Sequence, residues 1–187
     1  MTDSTATLDD DPALGRVLVS HAEIAARVQA LGEEIAADYA GSSPLLVGVL
    51  KGAVLFTADL CRAIDLPVEL DFMAVSSYGS STRTSGVVRI LKDLDVDVAG
   101  RDVILIEDIV DSGLTLSYLR RTLRARKPNS LEICSLLVRE AQTDLDELVK
   151  YVGFKVPPEW VVGYGLDVAQ KYRNLPDIRA YDANGHG

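Results

Sequence analysis

Residues 103–113 read VILIEDIVDSG, and Leu114 and Thr115 follow directly. Val103–Ile106 is an unbroken run of strand-forming residues, the pattern of a strand buried on both faces. Runs of this kind usually finish in a neutral turn. This one finishes in Glu107, Asp108 and Asp111, with Ser112, Gly113 and Thr115 close behind. LTLSYLRRTLRARK, 114–127, then reads as a helix. A buried strand, an acid-rich turn and a helix therefore follow one another without a spacer.

The same alternation extends in both directions. Upstream, SHAEIAARVQALGEEIAADYAG (20–41) carries Ile24, Val28, Leu31 and Ile35 at helical spacing. Ser20 and Glu23 form a capping-box pattern at its start, and Gly41 is placed to end it. PLLVGVL (44–50) reads as a buried strand, AVLFTADLCRAI (53–64) as a helix, and VELDFMAVSSY (68–78) and VVRILKD (87–93) as strands flanking the polar loop GSSTRTSG. Downstream, SLEICSLLV (130–138) is a fifth strand. Strands alternating with helices predict an α/β fold whose central sheet is mostly parallel, with right-handed crossovers. KYVGFKVPPEWVVGYGLD (150–167) holds short β-like pieces broken by Gly153, Pro157 and Pro158, which suits a small antiparallel cap over the sheet edge. Residues 1–14 and the tail DANGHG read as loose, leaving one domain over 15–187.

The bulk composition narrows the function classes. A chain of 187 residues with 48% apolar and 25% charged residues suits one globular domain. It has no apolar run long enough to span a bilayer, and its acidic start lacks the basic end and apolar stretch of a secretory signal. An intracellular, cytoplasmic protein without membrane attachment is expected. Cys61 and Cys134 belong to no C-x-x-C pair and read as reduced, buried thiols, and His21 and His186 are too isolated for a zinc site. A net charge of −9 argues against general nucleic-acid binding. It leaves room for a small anion, which backbone amides, a few local cations and a metal can hold.

In a parallel sheet, ligands lie beyond the carboxyl ends of the strands. The turn after Ile106 points acids, hydroxyls and the amides of roughly residues 111–115 at that space, and Gly113 permits the tight curvature an amide nest needs. Acids beside a phosphate nest repel phosphate unless they have other work. Two carboxylates can accept hydrogen bonds from vicinal sugar hydroxyls, and a third can exchange a proton with a base. The set suits a ribose 5-phosphate better than a bare phosphate. A plainer alternative stays open: Asp111 caps the helix, and Glu107 and Asp108 are solvated strand-end charges.

VILIEDIVDSGLT resembles the activated-ribose signature of the type I purine phosphoribosyltransferases. It is most similar to the 6-oxopurine, or hypoxanthine-guanine, branch; the adenine and orotate relatives carry a small residue where Asp111 stands. The resemblance runs from about Ser20 to Tyr181 and implies an α/β domain with a small hood built from the chain ends. It implies that Glu107 and Asp108 hold the ribose hydroxyls, that Ser112, Gly113, Leu114 and Thr115 cradle the 5-phosphate with Asp111, and that Asp111 is the catalytic general base. VLKG (49–52) is similar to the family's first loop, with Lys51 and Gly52 against the diphosphate and a sometimes cis Leu50–Lys51 peptide. SSYGSSTRTSG (76–86) is similar to its mobile lid, with Ser77 and Tyr78 closing over the diphosphate; read alone, it is an ordinary hairpin. WVVGYGLDVAQKYRNLP (160–176) is similar to the base- and diphosphate-binding end. There the resemblance implies Trp160 stacked on the purine, the Val161 backbone on the base edge, Arg173 on diphosphate, and Mg²⁺ held by Asp167 with Glu107 and Asp108.

Trp160, taken alone, is equally a core residue, and Lys51 equally a solvent-facing lysine. GYGLDV lacks the third glycine of a dinucleotide fingerprint, and the chain has no P-loop. Where the family places a lysine that donates to the purine 6-oxo group, this chain aligns Arg139, with Lys155 as an alternative donor. Arginine also only donates, but its planar fork is bulkier. The implied activity is transfer of a 5-phosphoribosyl group from phosphoribosyl diphosphate to hypoxanthine or guanine, by a homodimer or homotetramer. Two alternatives stand beside it. One is a xanthine-preferring enzyme. The other is a regulator of the same fold that senses phosphoribosyl diphosphate and contacts nucleic acid through Arg120, Arg121, Arg124, Arg126 and Lys127; that cluster is otherwise a solvated helix end.

Overall fold

The computed structural model describes residue 8 and residues 11–78, 87–111, 113–140 and 148–182. Its elements are β1 (Leu14–Val19), α1 (His21–Asp38), β2 (Leu45–Leu50), α2 (Val54–Ala63), β3 (Glu69–Tyr78) and β4 (Val87–Lys92). They continue with β5 (Asp102–Val110), α3 (Leu114–Arg124), β6 (Ser130–Arg139), β7 (Tyr151–Val156), β8 (Val161–Val162) and β9 (Ile178–Tyr181). A six-stranded sheet runs in the order β4-β3-β2-β5-β6-β7. It is parallel except at its β3–β4 edge, where the two strands form an antiparallel pair. No described helix is long and apolar enough to cross a membrane.

The fully apolar strands explain why the sheet is covered on both faces. Ile104 and Ile106 pack with Phe56, Leu60, Ile24, Leu31 and Ile35 from α1 and α2. Val103 and Leu105 pack on the other side with Leu116, Leu119 and Leu123 from α3. α1 begins as its pattern predicts: the Glu23 amide donates to Ser20 Oγ (3.3 Å) and the Ser20 amide to Glu23 Oε2 (2.8 Å). It stops at Asp38, with Gly41 in the turn beyond. α1 and α2 cross where Gly32 meets the chain at Ala63; a Cβ on Gly32 would lie 2.4 Å from the Ala63 carbonyl oxygen.

Four departures from the sequence expectations have physical reasons. LGRVLV forms β1, which was not expected as a strand; its partner is β9, at the far end of the chain, so nothing nearby in sequence marks it. Residues 11–14, expected to be loose, are held: Ala13 is 0% exposed, and Asp11 Oδ1 accepts its amide at 3.0 Å. YVGFKV does not join the cap. It extends the main sheet as β7, parallel to β6, because Gly153 lets it lie flat against the Leu136 carbonyl. The antiparallel cap is instead β1-β9-β8, built from both chain ends. The basic cluster also divides. α3 ends at Arg124, and Arg126 turns back to pair with Asp93 at 2.8 Å.

Candidate active site

β5 is longer than its apolar run. Ile109 and Val110 still pair with Leu137 and Val138 of β6, so Glu107 and Asp108 lie within the strand rather than past its end. Glu107 is 6% exposed, and Asp108 is largely enclosed. The solvated-charge alternative is therefore wrong for Glu107. Asp111, in contrast, is an exposed side chain two residues before Gly113. Gly113 takes φ +70 as the first boundary residue of α3, and no described side chain caps that helix. Asp111 is not the cap, and the free amides at the start of α3 face a cavity.

This cavity, of about 290 Å³, is lined by the ends of β2 and β5, the first turn of α3, and the segment after β8. Lys51, Gly52, Glu107, Asp108, Asp111, Gly113, Thr115, Asp167 and Arg173 all reach it. Leu114 does not; it opens α3 with its side chain largely in solvent. Ser112, the side chains of Ser77 and Tyr78, and loop 79–86 lie outside the described residues.

Glycines set how closely these segments approach. A Cβ on Gly52 would lie 1.5 Å from Asp108 Oδ2, and a Cβ on Gly165 would lie 2.1 Å from the Gly52 carbonyl oxygen. Gly165 also has φ +101, a conformation side chains disfavour. Glycine at both positions lets three distant segments meet closely: the Gly52 backbone on the Asp108 side chain, and the Gly165 backbone on the Gly52 backbone. The Leu50–Lys51 peptide is cis.

On the far wall, Arg173 donates from Nη1 to the Gly165 carbonyl (2.7 Å) and pairs through Nη2 with Asp167 Oδ1 (2.7 Å). Asp167 Oδ2 accepts the Gln170 amide at 2.7 Å. Gln170 Oε1 accepts from both Lys51 Nζ and Arg173 Nη2, each at 3.3 Å. Gln170 and Gly165 were missed in the sequence. Gln170 is one more polar residue in VAQKYR, and GYG, though inside the stretch similar to the base- and diphosphate-binding end, gives Gly165 no role of its own.

Burial dominates the electrostatics. It pushes the Glu107 carboxyl well above the ordinary range, and the neighbouring Asp108 charge adds to this. Asp108 is raised too, again chiefly by burial; backbone amides and the Arg173 charge oppose the shift, and Asp167 adds to it. A carboxyl raised on folding contributes stability below its unfolded pKa and loses it as pH rises through the folded value. The ligand-free wild type should therefore lose thermal stability as pH rises through that range. Glu107→Gln should melt higher at neutral pH by at least roughly 3 °C, the shift that about 1 kcal/mol gives a domain of this size. The gap should shrink toward about pH 4. Melting curves across pH test this, and a constant gap would contradict it.

Among the described residues no three His, Cys, Asp or Glu side chains form a ready metal cage. The donor set still fits Mg²⁺, which takes one or two carboxylates and fills its shell with substrate oxygens and water. Glu107, Asp108 and Asp167 offer such carboxylates around one cavity. Both Asp167 oxygens already accept from protein, but each keeps a further lone pair.

A second cavity, of about 240 Å³, adjoins the first and is lined by Asp111, Arg139, Pro158, Glu159 and Trp160. Trp160 is 70% exposed, so it is no core residue. Its carbonyl accepts the Tyr181 amide at 2.8 Å, which ties it to the cap while its ring stays open. Arg139 Nη1 donates to the Pro157 and Glu159 carbonyls, both at 2.6 Å, and Nε stands 4.0 Å from Asp111 Oδ1. Arg139 thus reaches this cavity. Val161 does not line it; it is buried in β8 opposite Ala180. Lys155 lies on β7, in register with Val138, and is also outside the lining.

Known proteins of similar sequence and fold place the chain in a family. Residues 17–169 match the phosphoribosyl transferase domain family. The chain is 54% identical over 172 residues to a hypoxanthine-guanine phosphoribosyltransferase of Mycobacterium tuberculosis H37Rv, covering 89% of this chain and 85% of that one. It is 53% identical over 163 residues to the Bacillus subtilis 168 protein of the same name, covering 87% and 91%. A crystal structure of a Staphylococcus aureus hypoxanthine phosphoribosyltransferase superposes with a TM-score of 0.88 at 41% identity, over 96% of this chain and 97% of that one. The chain therefore belongs to the phosphoribosyl transferase domain family and, within it, to the hypoxanthine-guanine phosphoribosyltransferases, enzymes of purine salvage.

Proposed function

We propose that this enzyme transfers the 5-phosphoribosyl group of phosphoribosyl diphosphate to hypoxanthine or guanine, in a Mg²⁺-dependent reaction. One observation carries the proposal: among the described residues, Asp111 is the side chain shared by the two adjoining cavities. One cavity has the acids and amides for a phosphorylated sugar, and the other has a cation and an open aromatic ring for a flat base. A group at their junction is where the sugar–base bond would form.

In this account Glu107 and Asp108 hold the ribose hydroxyls, and the amides at Gly113 and Thr115 take the 5-phosphate. Lys51, the Gly52 backbone and Arg173 take the diphosphate. Trp160 stacks on the purine, and Arg139 donates toward its 6-oxo group. The C1–O bond to diphosphate breaks as a C1–N bond to the imidazole ring forms. Asp111 holds or removes the proton on the ring's other nitrogen. Mg²⁺, held by Asp167 with Glu107 and Asp108, would neutralise diphosphate charge when bound.

Initial rates with hypoxanthine, guanine and xanthine, each with saturating phosphoribosyl diphosphate, test the substrate assignment. The first two should exceed xanthine by roughly tenfold or more, a modest discrimination for a polar site. Xanthine turned over fastest would replace this reading with the xanthine-preferring one.

A further inference from the structure

We infer that Asp11, in the segment before β1, is a positioning residue for Arg173: by gripping the Tyr172 hydroxyl it holds the turn that carries Arg173 into the first cavity. This rests on the proposed role of Arg173 in binding diphosphate.

The turn over 169–173 has an unusual backbone. Ala169, Gln170 and Tyr172 take φ of +52, +66 and +74, a region that residues with side chains rarely occupy. Such conformations persist only where the surroundings enforce them. Two sets of contacts do so. The first lies inside the cavity: Asp167, Gln170, Lys51 and Arg173 bond to one another. An incoming diphosphate competes for Arg173 and Lys51, so this set loosens when substrate enters.

The second set lies outside the lining of the first cavity. Tyr172 donates its hydroxyl to Asp11 Oδ2 at 2.8 Å. Its ring is 6% exposed, 5.7 Å from the Tyr181 ring, and packed with Val162 and Leu175. Asp11 is itself fixed: Oδ1 accepts the Ala13 amide and its carbonyl the Leu14 amide, both at 3.0 Å. One carboxylate therefore joins the start of β1 to the residue immediately before Arg173. Substrate does not compete for this clasp, so it would keep the turn in shape as the cavity contacts are exchanged.

Tyr172→Phe keeps the packed ring and removes the bond, and Asp11→Asn keeps its shape and removes the charge. Both should raise KM for phosphoribosyl diphosphate roughly 3- to 10-fold, the range expected from one hydrogen bond. KM for the base and kcat should stay within about twofold, because neither residue touches the second cavity. The double variant should be no worse than Tyr172→Phe alone, since that change already removes the bond that Asp11→Asn weakens. Arg173→Gln, measured alongside, should raise the same KM more steeply. If it raises that KM while Tyr172→Phe and Asp11→Asn lower only the melting temperature, the clasp is merely structural and the inference is overturned alone. If Arg173→Gln leaves the KM unchanged, the diphosphate assignment fails and takes the inference with it.

Discussion

Asp111→Asn should lower kcat by roughly 10²–10⁴, the usual worth of positioned acid–base help, and leave KM for phosphoribosyl diphosphate within about threefold. The exchange keeps size and hydrogen-bonding reach but removes the ability to take a proton. Structural damage is not expected. The Asp111 side chain is exposed, does not cap α3, and has only a 4.0 Å approach to Arg139 as its described ion-pair contact. The amides near Gly113, to which the proposal gives the 5-phosphate, should be untouched, so sugar-phosphate binding should persist while transfer slows. Steady-state kinetics and direct titration of phosphoribosyl diphosphate separate the two effects. Unchanged turnover would remove Asp111 from the chemistry; loss of binding in step with turnover would make it a binding residue instead.

Gly52→Ala, a single methyl group, should cut kcat/KM by at least about 100-fold, the penalty typical of displacing reacting groups by an ångström. The new Cβ would sit 1.5 Å from Asp108 Oδ2 and 2.5 Å from Asp108 Cγ. Asp108 has little freedom to retreat, because its Oδ1 accepts the Ile109 amide at 2.7 Å. The loop cannot lift freely either, since the Gly52 carbonyl lies under Gly165. Whichever gives, Asp108 or the Lys51–Gly52 loop shifts within the first cavity. Circular dichroism should remain native, because neither hydrophobic layer of the sheet includes Gly52. Activity within threefold of wild type would show that the close approach has no functional weight.

These two residues mark how far the sequence could be read. Asp111 was legible because its chemistry follows directly after an uninterrupted apolar strand. Ser20 and Glu23 were legible because a capping box is local. Gly52 was named, but its reason was not visible: the clash partner is Asp108, on another strand, and contacts of that kind exist only after folding. The same limit hid β1, whose pairing partner is β9, and moved YVGFKV from the cap to the sheet. Trp160 could be read as core or as an open ring from residue type alone; its exposure in the folded chain decides it. Gln170 carried no signal, since a side-chain amide bridging two cations has no sequence pattern.

The pairing of β1 with β9 also bears on how the enzyme is made. β1 is translated before the other described elements, yet its described partner, Ile178–Tyr181, is translated after all of them. Until then an edge-forming segment waits without its hydrogen bonds, and Trp160 lacks the amide that ties it in place. The central sheet from β2 to β7 can close beforehand, because every strand it needs has already been translated. Synthesis thus imposes an order on assembly: β2 and β5 can bring Lys51, Gly52, Glu107, Asp108 and Asp111 together first, while Asp167, Arg173 and the backbone bond to Trp160 wait for segments translated later.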